Sequence, residues 1–311
     1  MITEPVPPAD HPDASPATTA ARAKLSAYPW VTSLAVLACI AVFIGLWTAH
    51  DPASPESLYR WGYAPATAVW GGAHWALLTS VFVHLALWHL AFNVFWLWVL
   101  GIRLERRIGS LQFLAFFLAS ALVSSSCQLA VSDDTGIGAS GVVYALFGFM
   151  WLARDRFPEF RQVVDQRIAT FFVAALVACL VASYLTAWQV GNAAHISGMA
   201  FGCLVAASFV LHYKPRLTLA GLAGLVVLSI IPLFWCPWSV AWLSDKAYRA
   251  HEGRRYQEAI DLYTQVLQMD PQNAWAYYNR SSAYEALGDA RQAEADLKKA
   301  RELDPEIKRS Q

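Results

Sequence analysis

Seven apolar runs separated by short polar joints set the character of this chain. They cover residues 31–49, 85–101, 111–131, 139–153, 169–188, 194–211 and 217–235, and none contains an Asp or Glu. At about 1.5 Å of rise per helical residue, most are long enough to cross a hydrocarbon core of roughly 30 Å. The fourth is the exception, since about 15 residues make only roughly 22 Å of helix. Its inner end is pinned by Arg154, Asp155 and Arg156. Its outer end is therefore expected below the membrane surface, reached through a flexible Thr135-Gly136-Ile137-Gly138 segment. Between the first two runs lie about 35 mixed residues with Trp61, Trp70, Gly71, Gly72 and Trp75, read as a loop with interface-seeking aromatics.

The flanks differ in kind. Residues 1–28, rich in Pro, Ala, Asp and Thr, read as a disordered tail. They are no cleavable signal, because Arg22 and Lys24 lead into a run long enough to span. Residues 29–240 form the expected membrane domain. From about Asp245 the pattern becomes charged with helical periodicity, and it repeats every 34 residues: Ala259 with Ala293, Tyr263 with Leu297, Asp270-Pro271 with Asp304-Pro305. Such a period resembles tetratricopeptide repeats, so residues 241–311 read as two copies. The first copy is imperfect, with one residue more between Gly253 and Ala259 than between Gly288 and Ala293. Two copies are fewer than such a stack needs to stand alone, so the unit leans on the membrane domain or pairs with another copy.

Composition agrees with a membrane protein: 57% hydrophobic and only 15% charged residues, against roughly 25% charged in soluble domains. Formal net charge is zero, so a nucleic-acid partner has no electrostatic support. Four of the five cysteines (Cys39, Cys127, Cys179, Cys203) lie inside apolar runs and Cys236 ends one. Without any CxxC they read as small hydrophobes. The loops on the N-terminal side hold eleven bases: Arg22, Lys24, Arg103, Arg106, Arg107, Arg154, Arg156, Arg161, Arg167, Lys214 and Arg216. Those on the other side hold Arg60 alone. The positive-inside rule then puts the N-terminus in the cytoplasm and, after seven spans, the repeats in the periplasm or outside the cell. A bacterial inner membrane fits this arrangement.

Candidate chemistry centres on Gly138-Ala139-Ser140-Gly141, at the mouth of the fourth run. Taken alone, small residues there are a close-packing signal between helices. A histidine in Ala194-His195, at the mouth of the sixth run, changes that reading. Both runs start on the same side, so Ser140 and His195 lie at similar depth. Ser140 shares a helix face with Tyr144, and His195 shares one with Gly198 and Gly202, whose lack of side chains lets the two helices approach. His89 and Asn93, four apart in the outer half of the second span, offer donors where an oxyanion would form. Singly, they read as an interfacial residue and interhelical glue.

Together these residues resemble the rhomboid intramembrane serine proteases. The resemblance covers roughly residues 75–202: His89-Leu90-Ala91-Phe92-Asn93, Leu104-Glu105 with Gly109, Gly138-Ala139-Ser140-Gly141 with Tyr144, and Ala194-His195 with Gly198 and Gly202. It implies an all-α membrane bundle with a six-plus-one arrangement of spans. It also implies Ser140 as nucleophile, His195 as general base, and His89, Asn93 and the Ser140 N–H as oxyanion hole. Tyr144 is then expected to stack on His195, and small residues are preferred beside the cut. One departure is Trp75-Ala76, where the family usually has Trp-Arg. Expected partners are the lipid bilayer, membrane-protein substrates with helix-weakening residues near the outer face, and a peptide or protein ligand of the repeats. No cofactor or metal is expected. No His-Glu-x-x-His occurs, and His84 and His89, five apart, do not share a helix face. The rival class is a rhomboid-like protein that binds membrane clients without cleaving them, or an adaptor working through its repeats.

Overall fold

A computed structural model describes residues 28–186 and 190–307, and every regular element among them is helical. The expected disordered tail lies almost wholly outside the described residues, as does the end of the fifth apolar run. The seven runs become α1 (Trp30–Trp47), α5 (Leu87–Ile108), α6 (Ser110–Ser132), α7 (Ser140–Ala153), α9 (Gln166–Leu185), α10 (Asn192–Phe209) and α11 (Pro215–Phe234). All but α7 are long and apolar enough to cross a membrane. The short elements are α2 (Pro55–Arg60), α3 (Ala66–Trp70), α4 (Ala76–Thr79) and α8 (Pro158–Arg161).

The short helix α7 is the centre of the bundle. Every residue from Gly141 to Met150 is buried, so protein rather than lipid surrounds it and its length need not match the bilayer. It packs most closely on α10, and glycines make that contact. A Cβ at Gly198 would lie 2.2 Å from the Gly141 carbonyl oxygen, and one at Gly202 would lie 1.9 Å from that of Ala145. Gly148 does the same from the other helix, 2.4 Å from the Met199 carbonyl. On its other side, a Cβ at Gly141 would fall 2.6 Å from the Ser124 side chain of α6.

Helix α5 runs seven residues past the expected end at Gly101. Loss of apolarity marks where the bilayer ends, not where the helix does. In this extension Glu105 turns inward and is 2% exposed. Its carboxylate accepts the backbone N–H groups of Val31 (2.9 Å) and Thr32 (2.8 Å), the Thr32 hydroxyl (2.7 Å) and the Ser110 hydroxyl (2.6 Å). A carboxylate thus caps the N-terminus of α1, where free N–H groups and the helix dipole favour negative charge. Gly109, at φ +92°, then turns the chain directly into α6.

The segment between the first two spans is more structured than a loop. Helices α2 to α4 and a 3₁₀ turn (Ser80–Phe82) enclose a small core of Ala64, Val69, Ala76, Leu77 and Leu129. Ala76 is fully buried there, so the departure from Trp-Arg places a methyl group in a closed apolar site.

Beyond α11, the charged segment forms two helical hairpins: α12 (Val240–Glu252) with α13 (Tyr256–Met269), and α14 (Ala274–Leu287) with α15 (Ala290–Leu303). The second joint turns on Gly288 at φ +83°, whereas the longer first joint places Arg254 at φ +59°. Trp242, Ala247, Ala259, Tyr263 and Val266 make the unit's core, and Trp70 of the membrane domain packs against it. Between the second hairpin's helices, Arg280 forms a two-pronged ion pair with Asp296 (2.7 and 2.9 Å) and also bonds the Thr264 hydroxyl.

The unit leans on the membrane domain, the first of the two arrangements expected. Trp70 packs on the repeat core and Arg249 of α12 donates to the Thr67 carbonyl (3.4 Å). The segment leading into α12 is tied down as well: Trp238 Nε1 donates to the Ala130 carbonyl (2.8 Å) and the Ser239 hydroxyl to Asp133. Ala130 and Asp133 sit at the end of α6, directly before the segment that leads to Ser140. The repeats therefore dock on the face at which α7 begins.

Candidate active site

Ser140 is the first residue of α7 and His195 the fourth of α10, and the close helix contact brings their side chains together. His195 Nε2 lies 2.7 Å from Ser140 Oγ. The imidazole stacks on Tyr144, one turn below Ser140, with ring centroids 4.7 Å apart at 30°. Tyr144 is itself fixed, donating its hydroxyl to the Phe172 carbonyl of α9 at 3.1 Å. His195 Nδ1 has no protein partner among the described residues, and no carboxylate stands behind the ring.

Both side chains open into a cavity of about 600 Å³. His89 and Asn93, from the first two turns of α5, line the same cavity. Asn93 is fully buried and uses one amide N–H on the His89 carbonyl (3.0 Å). Its side-chain oxygen has no hydrogen-bond partner among the described residues. Gly138, at φ +96°, allows the chain to pass directly over His89: a Cβ there would sit 2.6 Å from the imidazole. The expected flexibility of residues 135–138 is curtailed at both ends. The Gly138 N–H bonds the Ser80 carbonyl (3.1 Å), and the Gly136 N–H bonds Asp134 (2.8 Å).

This is a hydroxyl in contact with an imidazole base, beside an amide donor and a second imidazole, in a pocket recessed among apolar helices. Chemically it suits acyl transfer from a peptide or ester. Among the described residues no group of three or more His, Cys, Asp or Glu could hold a metal ion.

Comparison with known proteins finds similarity in both parts of the chain. Residues 71–212 match the family model of the rhomboid domain. That stretch is similar to a rhomboid domain. Residues 250–309 match a tetratricopeptide repeat model. Similar curated proteins include the rhomboid protease GlpG of Enterobacter sp. (strain 638), 34% identical over 185 residues, which is 60% of this chain and 65% of that protein. The rhomboid protease GlpG of Yersinia pseudotuberculosis serotype I is 34% identical over 180 residues, 57% of this chain and 62% of its own length. That of Salmonella typhi is 31% identical over 186 residues, 60% and 65% of the two chains. The chain thus spans a little under two thirds of these relatives.

The helical bundle brings together all the residues singled out in the sequence: Ser140, His195, His89, Asn93 and Tyr144 around the cavity, with Gly138, Gly141, Gly198 and Gly202 clearing space beside it. Three neighbours escaped notice. His84 is fully buried, its ring 4.9 Å from that of His89; its spacing from His89 drew attention only as a failed metal motif. Gln128 accepts the Ala194 N–H (3.1 Å) and donates to Ser132 (2.7 Å), tying the start of α10 to α6. Gly148 sits deep in an apolar run, where its role depends on a partner helix that one-dimensional pattern does not reveal.

Proposed function

We propose that this chain is an intramembrane serine protease that cuts membrane proteins near the outer end of a span. The observation carrying the proposal is the 2.7 Å contact between His195 Nε2 and Ser140 Oγ in a cavity recessed among apolar helices. The similarity to proteins named rhomboid protease supports it. In this reading Ser140 Oγ attacks the scissile carbonyl carbon while its proton passes to His195 Nε2. His89, Asn93 and the Ser140 N–H donate to the oxyanion of the tetrahedral intermediate. His195 then returns the proton to the departing amine, leaving an acyl-Ser140 ester. Water, deprotonated by His195, hydrolyses that ester and regenerates the hydroxyl. Tyr144 holds the imidazole plane by stacking and so does the orienting work that a third, acidic residue does in a triad.

Substrate preference follows from access. A scissile bond has to leave its helix to reach Ser140, so spans with Gly or Pro near the outer face are cut faster than stiff poly-Leu spans. The organisation proposed is a tail at 1–28, the protease domain at 29–240 and two repeats at 241–311. The excess of Lys and Arg in the loops opposite Ser140 supports a cytoplasmic N-terminus in a bacterial inner membrane. The repeats then face the periplasm on the same side as Ser140, where they hold a peptide or protein partner. Alkaline phosphatase fused after Gln311 is expected to be active; an inactive phosphatase beside a fluorescent cytoplasmic reporter at the same point refutes this topology.

The activity is tested with purified protein in lipid and a panel of single-span reporters. Wild type is expected to cut at least one, and Ser140→Ala and His195→Ala to lose at least about three orders of magnitude, with the double variant no worse than either. Cleavage by Ser140→Ala at the wild-type rate sinks the proposal, and an intact panel favours the client-binding class instead.

A further inference from the structure

The cavity around Ser140 has one charged carboxyl residue in its wall and, among the described residues, no lysine or arginine. That residue is Asp134. It follows Asp133 in sequence, but the two face different tasks. Asp133 accepts the Ser239 hydroxyl at the junction with the repeats. Asp134 lines the cavity, on the segment between the end of α6 and Ser140.

Its side chain is held from two sides through one oxygen. Oδ1 accepts the Gly136 N–H at 2.8 Å and the Tyr63 hydroxyl at 3.2 Å, the latter from the segment between α2 and α3. The second oxygen has no donor in the protein among the described residues. The Asp134 charge is felt locally, because it adds to burial in pushing the Tyr63 phenol above its usual range. Fixing the loop alone does not call for a carboxylate: an amide or hydroxyl oxygen can accept both bonds. The carboxylate stands in the wall of a recessed, partly apolar pocket, and among the described residues no cation lines that pocket.

We propose that Asp134 is a specificity-determining residue that favours substrates bearing a lysine or arginine close to the scissile bond on its water-facing side. The proposal rests on the protease reading above and adds the charge that the pocket selects. A segment unwound across Ser140 passes the wall formed by residues 134–138. A basic side chain there extends its aliphatic stem along apolar surface and delivers its charge to the free carboxylate oxygen. Opposite charges a few ångströms apart in a partly desolvated site attract strongly enough to sort substrates. A glutamate at the same place is repelled.

The test uses the full-length protein in lipid nanodiscs and reporters that differ at one position. Lys, Gln or Glu is placed in turn at each of several positions on the water-facing side of the cut. At one position, or two adjacent ones, kcat/KM is expected to be about five- to fifty-fold higher for Lys than for Gln and lower still for Glu, with the ratios shrinking as salt is raised. Asp134→Asn, which keeps an acceptor for Gly136 and Tyr63, brings the Lys-to-Gln ratio to about one. Asp134→Lys inverts it in favour of Glu, and Asp134→Glu retains it. The ratio is read within each variant, so changes in the folded fraction cancel. A Lys-to-Gln ratio near one at every position in wild type, or an unchanged ratio in Asp134→Asn, overturns the proposal while ordinary cleavage of the neutral reporters leaves the protease reading intact. Failure of wild type to cut any reporter overturns both.

Discussion

Replacing Gly198 by alanine probes the device that brings Ser140 and His195 together. The added Cβ would lie 2.2 Å from the Gly141 carbonyl oxygen, where side chains essentially never come closer than 3.0 Å. Both partners are helix backbone, so neither gives way by a rotamer change. Helices α7 and α10 have to separate locally by about 0.8 Å. Gly141 adjoins Ser140, and His195 lies one turn before Gly198, so the separation falls on the 2.7 Å contact and stretches it to about 3.5 Å, the outer limit of a hydrogen bond. A misplacement approaching 1 Å at reacting groups costs up to ~100-fold in rate. Overpacking a well-filled contact costs about 1–3 kcal/mol of stability. Gly202→Ala, whose Cβ would meet the Ala145 oxygen at 1.9 Å, is expected to be more severe for stability. Gly224→Ala on α11, with nothing within 4 Å, is the control and is expected to be neutral. The assay pairs reporter cleavage in lipid with thermal unfolding of the same samples. Cleavage by Gly198→Ala within threefold of wild type, at unchanged melting temperature, refutes the reasoning.

Three further outcomes follow from the packing. Glu105→Ala leaves the N–H groups of Val31 and Thr32 and two hydroxyls without their acceptor, and is expected to lose about 3 kcal/mol, seen as a lower melting temperature. In the repeats, Arg280→Ala strands the Asp296 charge and costs about 3–5 kcal/mol, whereas replacing both by apolar residues of similar volume restores much of it; amide exchange in α14 and α15 reads the difference. Burial holds the His251 imidazole below its ordinary value of 6.5, so the unfolded chain takes up its proton first. Its contribution to repeat stability is therefore complete above about pH 6.5 and lost progressively as pH falls from there toward the lower folded-state value, measurable as faster exchange in α12 and α13.

Much of the fold was legible because a bilayer imposes a coarse rule. Apolar runs long enough to span become helices, and glycine-flanked polar residues at their mouths stand out against hydrocarbon. Ser140 and His195 were visible for this reason, since both open a run on the same side. The short fourth run was also informative, because about 15 residues fall short of the bilayer's thickness and marked Ser140 as recessed. What stayed hidden depends on tertiary partners. The inward turn of Glu105 lies past the apolar boundary, where a carboxylate between arginines reads as surface. The small core around Ala76 is assembled from short helices too brief to show periodicity. Gln128 and Gly148 look like ordinary span residues until α10 is placed against them. Arg254 at positive φ absorbs the extra residue of the first repeat, a solution that the period alone did not specify.

The central claim is that His195 makes Ser140 a nucleophile, and covalent capture tests it most directly. Purified protein in lipid is treated with a fluorophosphonate, and the modified residue and its rate of modification are read by peptide mass spectrometry. The account predicts a single phosphonylated residue, Ser140, with modification slowed at least about 100-fold in His195→Ala and unaffected by chelators. An adduct on another serine, or Ser140 modified as fast without His195 as with it, contradicts the account.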